Sequence, residues 1–157
     1  MSDILDDIDL RILELIQENG RIHRSDIAEA VKLSLPAASE RLRKLEERGY
    51  IKDYIARVDA KKLGYDVMAY IAVQIDTSAH FQAFIHKAVA HPDILECHAV
   101  TGDGSHLLKV RTRNTESLEK LLSQIQSWPG VTSTRTSVVL SSPKESSKVS
   151  VKHLKAH

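Results

Sequence analysis

The sequence is poor in residues that could cross-link a small protein. Among its 157 residues there is one cysteine, Cys97. A single cysteine excludes an intrachain disulfide framework and a cysteine-rich zinc site, and it is typical of a reducing compartment such as the cytoplasm. Hydrophobic cores must therefore hold the chain together, and its length is sufficient for one large domain or two small ones.

Long apolar runs and an excess of one charge are also missing. No run approaches the ~20 apolar residues of a membrane-spanning helix, and acidic residues rather than a basic signal sequence follow Met1. These features predict a cytoplasmic protein with no membrane partner. Lysine and arginine number 22 against 21 aspartates and glutamates, so the formal charge is only +1. Any nucleic-acid surface must therefore be local.

The first sixty residues predict three helices followed by a ribbon. In DDIDLRILELIQENG the apolar residues recur at helical spacing: Ile8, Ile12, Leu15 and Ile16. A short helix follows in RSDIAEAVKLS, with Ser25 as its predicted cap. A third, longer helix begins within a few residues, which makes a helix-turn-helix pattern. The segment YIKDYIARVD then predicts the β ribbon of a winged helix.

The third helix has clear start and stop signals. Ser34 is its predicted cap, Pro36 lies in the first turn where N–H groups have no partner, and Gly49 ends the helix. One side is apolar and predicts the core contact: Leu35, Ala38, Leu42 and Leu45. The other side is small or charged: Pro36, Ala37, Glu40, Arg43 and Lys44, with Arg41 and Arg48 on one flank.

The charged side of this helix has two interpretations. A solvated amphipathic helix is the simpler one. A DNA-recognition helix fits better after a tight turn, because small side chains let its first turns enter a major groove while basic ones reach phosphates or guanine edges. Its N-terminus also offers free N–H groups to a phosphate. We therefore predict these DNA contacts: Ser25, Ser34, Pro36, Ala37, Ser39, Glu40, Arg41, Arg43, Lys44 and Arg48.

The second half of the chain predicts a different architecture. Buried-strand, helix and hairpin signals alternate in the order β-α-β-β-α-β, the split arrangement of ferredoxin-like domains. We therefore expect an α+β protein with two domains. Its predicted segments are the helix-turn-helix domain at 1–50, a wing and linker at 51–66, the ferredoxin-like domain at 67–142, and a largely solvated Ser/Lys-rich tail at 143–157.

The order and spacing of four motifs closely resemble the Lrp/AsnC (leucine-responsive, feast-or-famine) family of regulators. The motifs are LDDIDLRILELIQENGRI, LSLPAASERLRKLEERGYIKDY, ECHAVTGDGSHLLKV and PGVTSTRTSVVLSSPKE. The resemblance implies an N-terminal winged helix that binds DNA and a C-terminal domain that dimerises and senses small molecules. It also implies assembly of dimers into tetramers or octamers, with amino-acid effectors bound between dimers and no other cofactor.

The loop TGDGSH is the candidate effector site that this resemblance implies. A plain hairpin turn would explain Asp103-Gly104 without any ligand. Loop amides and a carboxylate, however, suit the carboxylate and ammonium groups of an amino acid. The predicted effector residues are Thr101, Gly102, Asp103, Gly104, Ser105 and His106 on the loop, and Thr134, Thr136 and Val138 on one face of the last strand. Gly104, Ser105 and His106 depart from the leucine-responsive pattern, so leucine need not be the effector.

Other functions are less favoured by the residue pattern. We find no nucleophile–base pair, phosphate loop or metal-ligand motif, so neither an enzyme nor a metal site is expected. The tail lysines could contact DNA, although a solvated tail is the simpler interpretation. The chain is therefore interpreted as a regulator that binds pseudo-palindromic double-stranded DNA as a dimer or larger assembly. The alternative is an amino-acid-binding assembly module with little DNA activity.

Overall fold

The computed structural model describes residues 4–155, which form two compact units. The first unit runs to Arg57 and also includes the chain from Glu145 onward, whereas the second runs from Val58 to Lys144. Residues 1–3 of the predicted first domain and residues 156–157 of the predicted tail lie outside the described part. Within residues 4–155, no helix is both long and apolar enough to cross a membrane.

The first unit confirms the predicted helix-turn-helix. Its helices are α1 (Asp7–Glu18), α2 (Arg24–Val31) and α3 (Leu35–Glu47). One side of each helix is buried against the other two, as the apolar periodicity predicts. The shared core consists of Ile12, Leu13, Ile27, Ala28, Ala38, Leu42 and Leu45. Leu35 was expected in this core, but it begins the helix at the surface and is 50% exposed.

The helix caps agree with the sequence at α3 and differ at α2. The Ser34 hydroxyl accepts a hydrogen bond from the Ala37 N–H at 3.3 Å, and Gly49 has the left-handed φ of +77° that ends the helix. Ser25 was predicted to cap α2, but the N-cap is His23, whose side chain makes no capping hydrogen bond. Ser25 lies within the first turn instead, because α2 begins at Arg24, two residues earlier than predicted.

The predicted β ribbon after α3 is wrong. From Lys52 to Asp59 the backbone has no strand or helix assignment, and the described chain then enters a 3₁₀ helix at Lys61–Leu63. The Tyr54 hydroxyl donates a hydrogen bond to Glu46 Oε1 at 2.8 Å, so this segment contacts α3. A ribbon needs a second strand to satisfy its backbone groups, and β-branched residues in sequence cannot supply one.

The second unit confirms the ferredoxin-like order of elements. Its strands and helices are β1 (Val67–Ile75), α4 (Phe81–Ala90), β2 (Ile94–Ala99), β3 (His106–Thr112), α5 (Thr115–Gln126) and β4 (Val131–Val138). The strands form one antiparallel sheet in the order β2-β3-β1-β4. Asn114 caps α5, because its side chain accepts a hydrogen bond from the Ser117 N–H at 2.8 Å.

The two faces of this sheet differ in composition. One face packs on α4 and α5 around a core that includes Ile71, Phe84, Leu108 and Ile125. The other face is mixed. By strand register it presents Tyr70, Ala72 and Leu107 together with charged residues such as Lys109 and Arg135.

The tail after Pro143 is not simply solvated. Val151 is 7% exposed, and the backbone of Val149 is hydrogen-bonded to the side chain of Gln17 on α1. Residues from Glu145 onward therefore belong to the first unit, although they follow the second unit in sequence. Composition predicts solvation for a Ser/Lys-rich segment, whereas complementary groups on α1 decide its actual position.

Candidate nucleic-acid interface and effector site

Helix α3 is positioned by a tight turn that follows α2. Lys32 takes the left-handed conformation at φ +57°, and the Leu33 N–H donates to the Ala28 carbonyl at 3.0 Å. This reversal ends α2, and Ser34 caps the next helix after two residues. The N-terminus of α3 is consequently held next to α2 with first-turn N–H groups directed away from the helix body.

The predicted DNA residues of α3 differ in exposure. Pro36, Glu40, Arg43 and Lys44 are exposed, whereas Ala37, Ser39 and Arg41 are partly buried. Ser25 on α2 is exposed as well. Arg48 follows the helix with its guanidinium 5.1 Å from the centroid of the Tyr50 ring, a cation–π distance. The residues on this side of α3 are thus small in its first turn and charged in its second half.

Arg43 is paired with two glutamates of its own helix. Its Nε and Nη2 atoms lie 2.9 and 2.6 Å from the two carboxylate oxygens of Glu40, and Nη1 contacts Glu47. These hydrogen bonds raise the pKa of Arg43, the pair with Glu40 contributing most. Both partners are about half exposed, so the pairs orient the guanidinium more than they stabilise the fold. Lys44, the next residue of α3, is exposed as well.

Arg41 connects α3 to α1. Its Nη1 contacts the Asp6 carboxylate and lies 3.2 Å from Asp9 Oδ1. The hydrogen bond to Asp6 is the main cause of the raised pKa of Arg41. Asp6 and Asp9 also form the capping box of α1, and Asp9 is 7% exposed. Arg41 therefore links α3 to α1, and it is also a predicted DNA contact.

The β2–β3 loop is anchored to strand β1 at its C-terminal end. Ser105 donates from its backbone N–H to the Val73 carbonyl at 2.9 Å, and its hydroxyl lies 3.3 Å from the same oxygen. At Gly104, with φ +97°, an added Cβ would lie 3.0 Å from that carbonyl. The close approach therefore requires glycine at this position.

The loop meets strand β4 through a residue that the sequence analysis missed. Asp103 Oδ2 lies 3.5 Å from Arg135 Nη1, and their side chains are 92% and 78% exposed. A carboxylate and a guanidinium thus stand side by side in solvent. Arg135 is not among the predicted effector residues, because period-two alternation puts it on the face opposite to Thr134 and Thr136. The sequence does mark this residue, because Arg135 is the single charged residue within VTSTRTSV.

The predicted residues of β4 face away from Arg135. Thr134 pairs with Val73 and Thr136 with Ile71, so their side chains lie on the sheet face that packs against the helices. The Thr134 hydroxyl accepts a hydrogen bond from Gln126 Nε2 on α5 at 2.9 Å. Val138 lies on the same face and is 49% exposed. The structure brings the loop close to β4, but it separates the predicted threonines from Arg135.

His106 is buried beneath the loop rather than displayed on it. Its side chain is 1% exposed, and its ring lies 4.9 and 5.1 Å from the ring centroids of Phe81 and Phe84. The Nδ1 atom lies 3.0 Å from the Ser105 hydroxyl, whereas Nε2 has no hydrogen-bond partner among residues 4–155. A charged imidazolium in this aromatic pocket would be poorly solvated.

Acidification should destabilise the second unit through His106. Burial lowers the pKa of His106 below its ordinary value of 6.5, so the unfolded chain binds this proton more readily than the folded one. Stability present above a pH of about 6.5 should therefore be lost as the pH falls through the lower pKa of the folded state.

Urea unfolding of the wild type and of His106→Leu at several pH values measures this component. The variant should lose it, whereas His98→Gln, which removes an exposed imidazole, should keep it. An unchanged pH dependence in His106→Leu would assign the effect to other groups.

The other histidines within residues 4–155 do not converge on a metal site. Within the described residues, no group of three or more His, Cys, Asp or Glu side chains could hold a metal ion. His80 Nδ1 is instead 2.6 Å from Asp76 Oδ1, and His91 Nε2 is 3.2 Å from Gln124 Oε1.

Two family models match the chain in consecutive regions. One is described as winged helix-turn-helix DNA-binding and matches residues 5–52. The other is described as the Lrp/AsnC ligand binding domain and matches residues 68–149. Together they include α1–α3 and all of the second unit's sheet except Val67, the first residue of β1.

Curated proteins and solved structures are similar over nearly the whole chain. The HTH-type transcriptional regulator FL11 of Pyrococcus furiosus is 35% identical over 97% of this chain and 100% of its own length. The leucine-responsive regulatory protein of Escherichia coli is 34% identical over 94% of this chain and 92% of its own. The transcriptional regulator NMB0573 of Neisseria meningitidis, solved as an L-Met complex, has a TM-score of 0.92 at 29% identity, covering 96% of this chain and 99% of that one.

Proposed function

The chain belongs to the Lrp/AsnC family of transcriptional regulators, and from this premise we propose how it binds DNA and how that binding is controlled. Operator DNA contacts α3, and an amino acid bound by the second unit changes the affinity. The observation that supports this most is the capped helix after a tight turn, with small residues first and exposed cations after them. A DNA partner also implies a cytoplasmic location.

The DNA interface consists of the exposed surface of α3 with Ser25 of α2 beside it. The first turn of α3 enters the major groove because Pro36 and Ala37 are small, and its free N–H groups point to a phosphate. Arg43, oriented by Glu40, and Lys44 then contact base edges or backbone. A two-fold dimer would place two such helices about one DNA turn, ~34 Å, or a multiple of it apart, which predicts a pseudo-palindromic operator.

The effector is an amino acid that binds at the β2–β3 loop. Asp103 suits its ammonium group and Arg135 suits its carboxylate, because each charge of a zwitterion needs an opposite charge or a hydrogen-bond partner. The L-Met complex of the Neisseria regulator supports an amino acid as the chemical class. Loop amides from Thr101 to Gly104 complete the proposed contact set. Thr134 lies on the opposite face of the sheet, where it bonds Gln126, and buried His106 supports the loop from beneath.

Assembly takes place through the uncovered face of the sheet. Tyr70, Ala72 and Leu107 form an apolar strip there, with Lys109 and Arg135 beside it. Such a mixed strip is typical of a surface that associates with a second copy, and a two-fold dimer uses the same patch on both copies. Tetramers and octamers would then be built from these dimers.

A gel shift with the DNA upstream of the protein's own gene tests the proposal. Wild-type protein should bind at physiological salt, and one of the twenty amino acids should change the affinity between several-fold and about 100-fold. Asp103→Ala and Arg135→Ala should retain effector-free binding and lose the response. The same preparation should sediment as a dimer or larger species rather than as a 17.6 kDa monomer.

The outcomes of this experiment separate two functions. No DNA binding by correctly folded protein, with amino-acid binding retained, would favour the alternative of an assembly module without DNA activity. Normal responses in both loop variants would place the effector elsewhere in the second unit.

A further inference from the structure

The C-terminal segment, Glu145–Lys155, contacts one surface of α1 through several kinds of interaction. The side-chain amide of Gln17 donates to the Val149 carbonyl at 3.0 Å and accepts from the Val149 N–H at 2.8 Å. Lys148 lies 2.7 Å from Glu18, and Lys155 lies 2.8 Å from Glu14. Glu14, Gln17 and Glu18 are three or four residues apart, so they share one side of the helix.

These contacts are specific rather than a general attraction between charges. Gln17 bonds both backbone groups of one residue, as a neighbouring strand would, which fixes the register of the C-terminal segment. Val151 is 7% exposed two residues later, so an apolar anchor accompanies the polar contacts. The hydrogen bond to Lys148 lowers the pKa of Glu18, and the one to Lys155 lowers the pKa of Glu14. Both carboxylates are therefore charged and paired at neutral pH.

The chain crosses between the two units twice, and the residues at the two crossing points contact each other. It leaves the first unit after Arg57 and returns to it at Glu145. Arg57 Nη1 donates to the Glu145 carbonyl at 3.0 Å, and Arg57 Nη2 lies 3.7 Å from the Glu145 carboxylate. The outgoing and returning chains are thus joined where each crosses. A second connection of this kind restricts the DNA-binding unit more than a single linker would.

The returning chain starts from the strand that borders the proposed effector site. Arg135 is on β4, which ends at Val138, and the Val139 N–H still donates to the Met68 carbonyl at 2.9 Å. Only six residues separate Val138 from Glu145. A change at β4 therefore has a short covalent route to the surface of α1.

We propose that the C-terminal segment couples the effector site to the DNA-binding unit by docking on α1 or leaving it. This rests on the proposed function, because it identifies the element through which that function is regulated. Docked and undocked segments are the two states, and an effector shifts their ratio if it binds one state more tightly. In the docked state, both chain connections restrain α1–α3.

The first experiment measures docking without DNA or effector. Gln17→Ala combined with Glu18→Ala removes both hydrogen bonds of the Gln17 amide and one ion pair from the side of α1 that the C-terminal segment contacts. Hydrogen exchange of the Val149 amide should be about tenfold faster in this variant, as expected for loss of a hydrogen bond. Gln82→Ala combined with Glu119→Ala makes the same changes on exposed positions of α4 and α5, and should leave that exchange rate unchanged. Equal exchange in both variants and the wild type would overturn docking in solution.

The second experiment measures coupling. In gel shifts with the amino acid that modulates the wild type, the Gln17/Glu18 variant should bind operator without effector but lose most of the change in affinity. A chain ending after Lys144 should behave in the same way, and calorimetry should show that both still bind the effector. A full response in either variant would overturn the coupling role. A wild type that shows neither DNA binding nor a response would overturn the proposed function itself, while the Val149 exchange rates would still report docking.

Discussion

Replacing Lys44 by glutamate should weaken operator binding about 100-fold at physiological salt, because it removes an attraction to DNA phosphate and adds a repulsion. Lys44 is exposed on α3 next to Arg43, in the half of the helix where the cations lie. The fold should survive the change. Loss of a cation from the last turn costs about 1 kcal/mol at most, which is small against a typical stability of ~5–15 kcal/mol.

Gel shifts at several salt concentrations distinguish a phosphate contact from a general charge effect. Lys44→Ala should lower the slope of log affinity against log salt by about one, because one fewer counterion is released. Lys120→Glu is the matched control, since Lys120 is 76% exposed on α5 and makes the same net change of charge. Near-normal affinity in Lys44→Glu, or equal losses in both reversals, would contradict the assignment of α3 as the recognition helix.

Gly130→Ala should destabilise the second unit by about 3 kcal/mol, from the cost of a left-handed alanine together with a steric clash. Gly130 precedes β4 at φ +85°, and an added Cβ would lie 2.6 Å from both Cβ and Nδ1 of His80. His80 is the N-cap of α4 and is hydrogen-bonded to Asp76, so it cannot move without disturbing the start of that helix. The Gly130 carbonyl also accepts from the Asp76 N–H at 2.8 Å.

Gly64→Ala separates the two contributions to this effect. Gly64 has nearly the same φ, +86°, and lies in the same unit, but no atom lies within 4 Å of an added Cβ. It should therefore lose only the backbone term of about 1 kcal/mol. Urea unfolding followed by tryptophan fluorescence suits the comparison, because Trp128 is packed in this core. Equal losses in both variants would show that the His80 contact relaxes without cost.

Local patterns were sufficient for most of the fold. The spacing of Ala38, Leu42 and Leu45 predicts the buried side of α3, and its cap and end are confirmed at Ser34 and Gly49. Alternating strand and helix signals likewise predict the βαββαβ order. These features depend on the properties of neighbouring residues, namely a 3.6-residue period, caps and turn residues.

The candidate sites were predicted only as segments of sequence. The loop at Thr101–His106 and the last strand do come together, but the exposed charge beside Asp103 is on Arg135, and Thr134 contacts α5. Strand register decides which alternate residues face the helices, and register depends on pairing with β1. Burial of His106 similarly depends on Phe81 and Phe84, which are far away in sequence.

The sequence by itself determined the helix-turn-helix, the order of the second unit and the family resemblance, because each is encoded by periodicity, capping and motif order within short stretches. Only the tertiary structure decided that residues 50–59 lack a ribbon, that Arg41 joins α3 to α1, and that the C-terminal segment returns to α1. Those outcomes depend on which backbone and charged groups find partners across long separations in sequence. Such partners are chosen by packing and hydrogen bonding of the whole chain, which local composition does not encode.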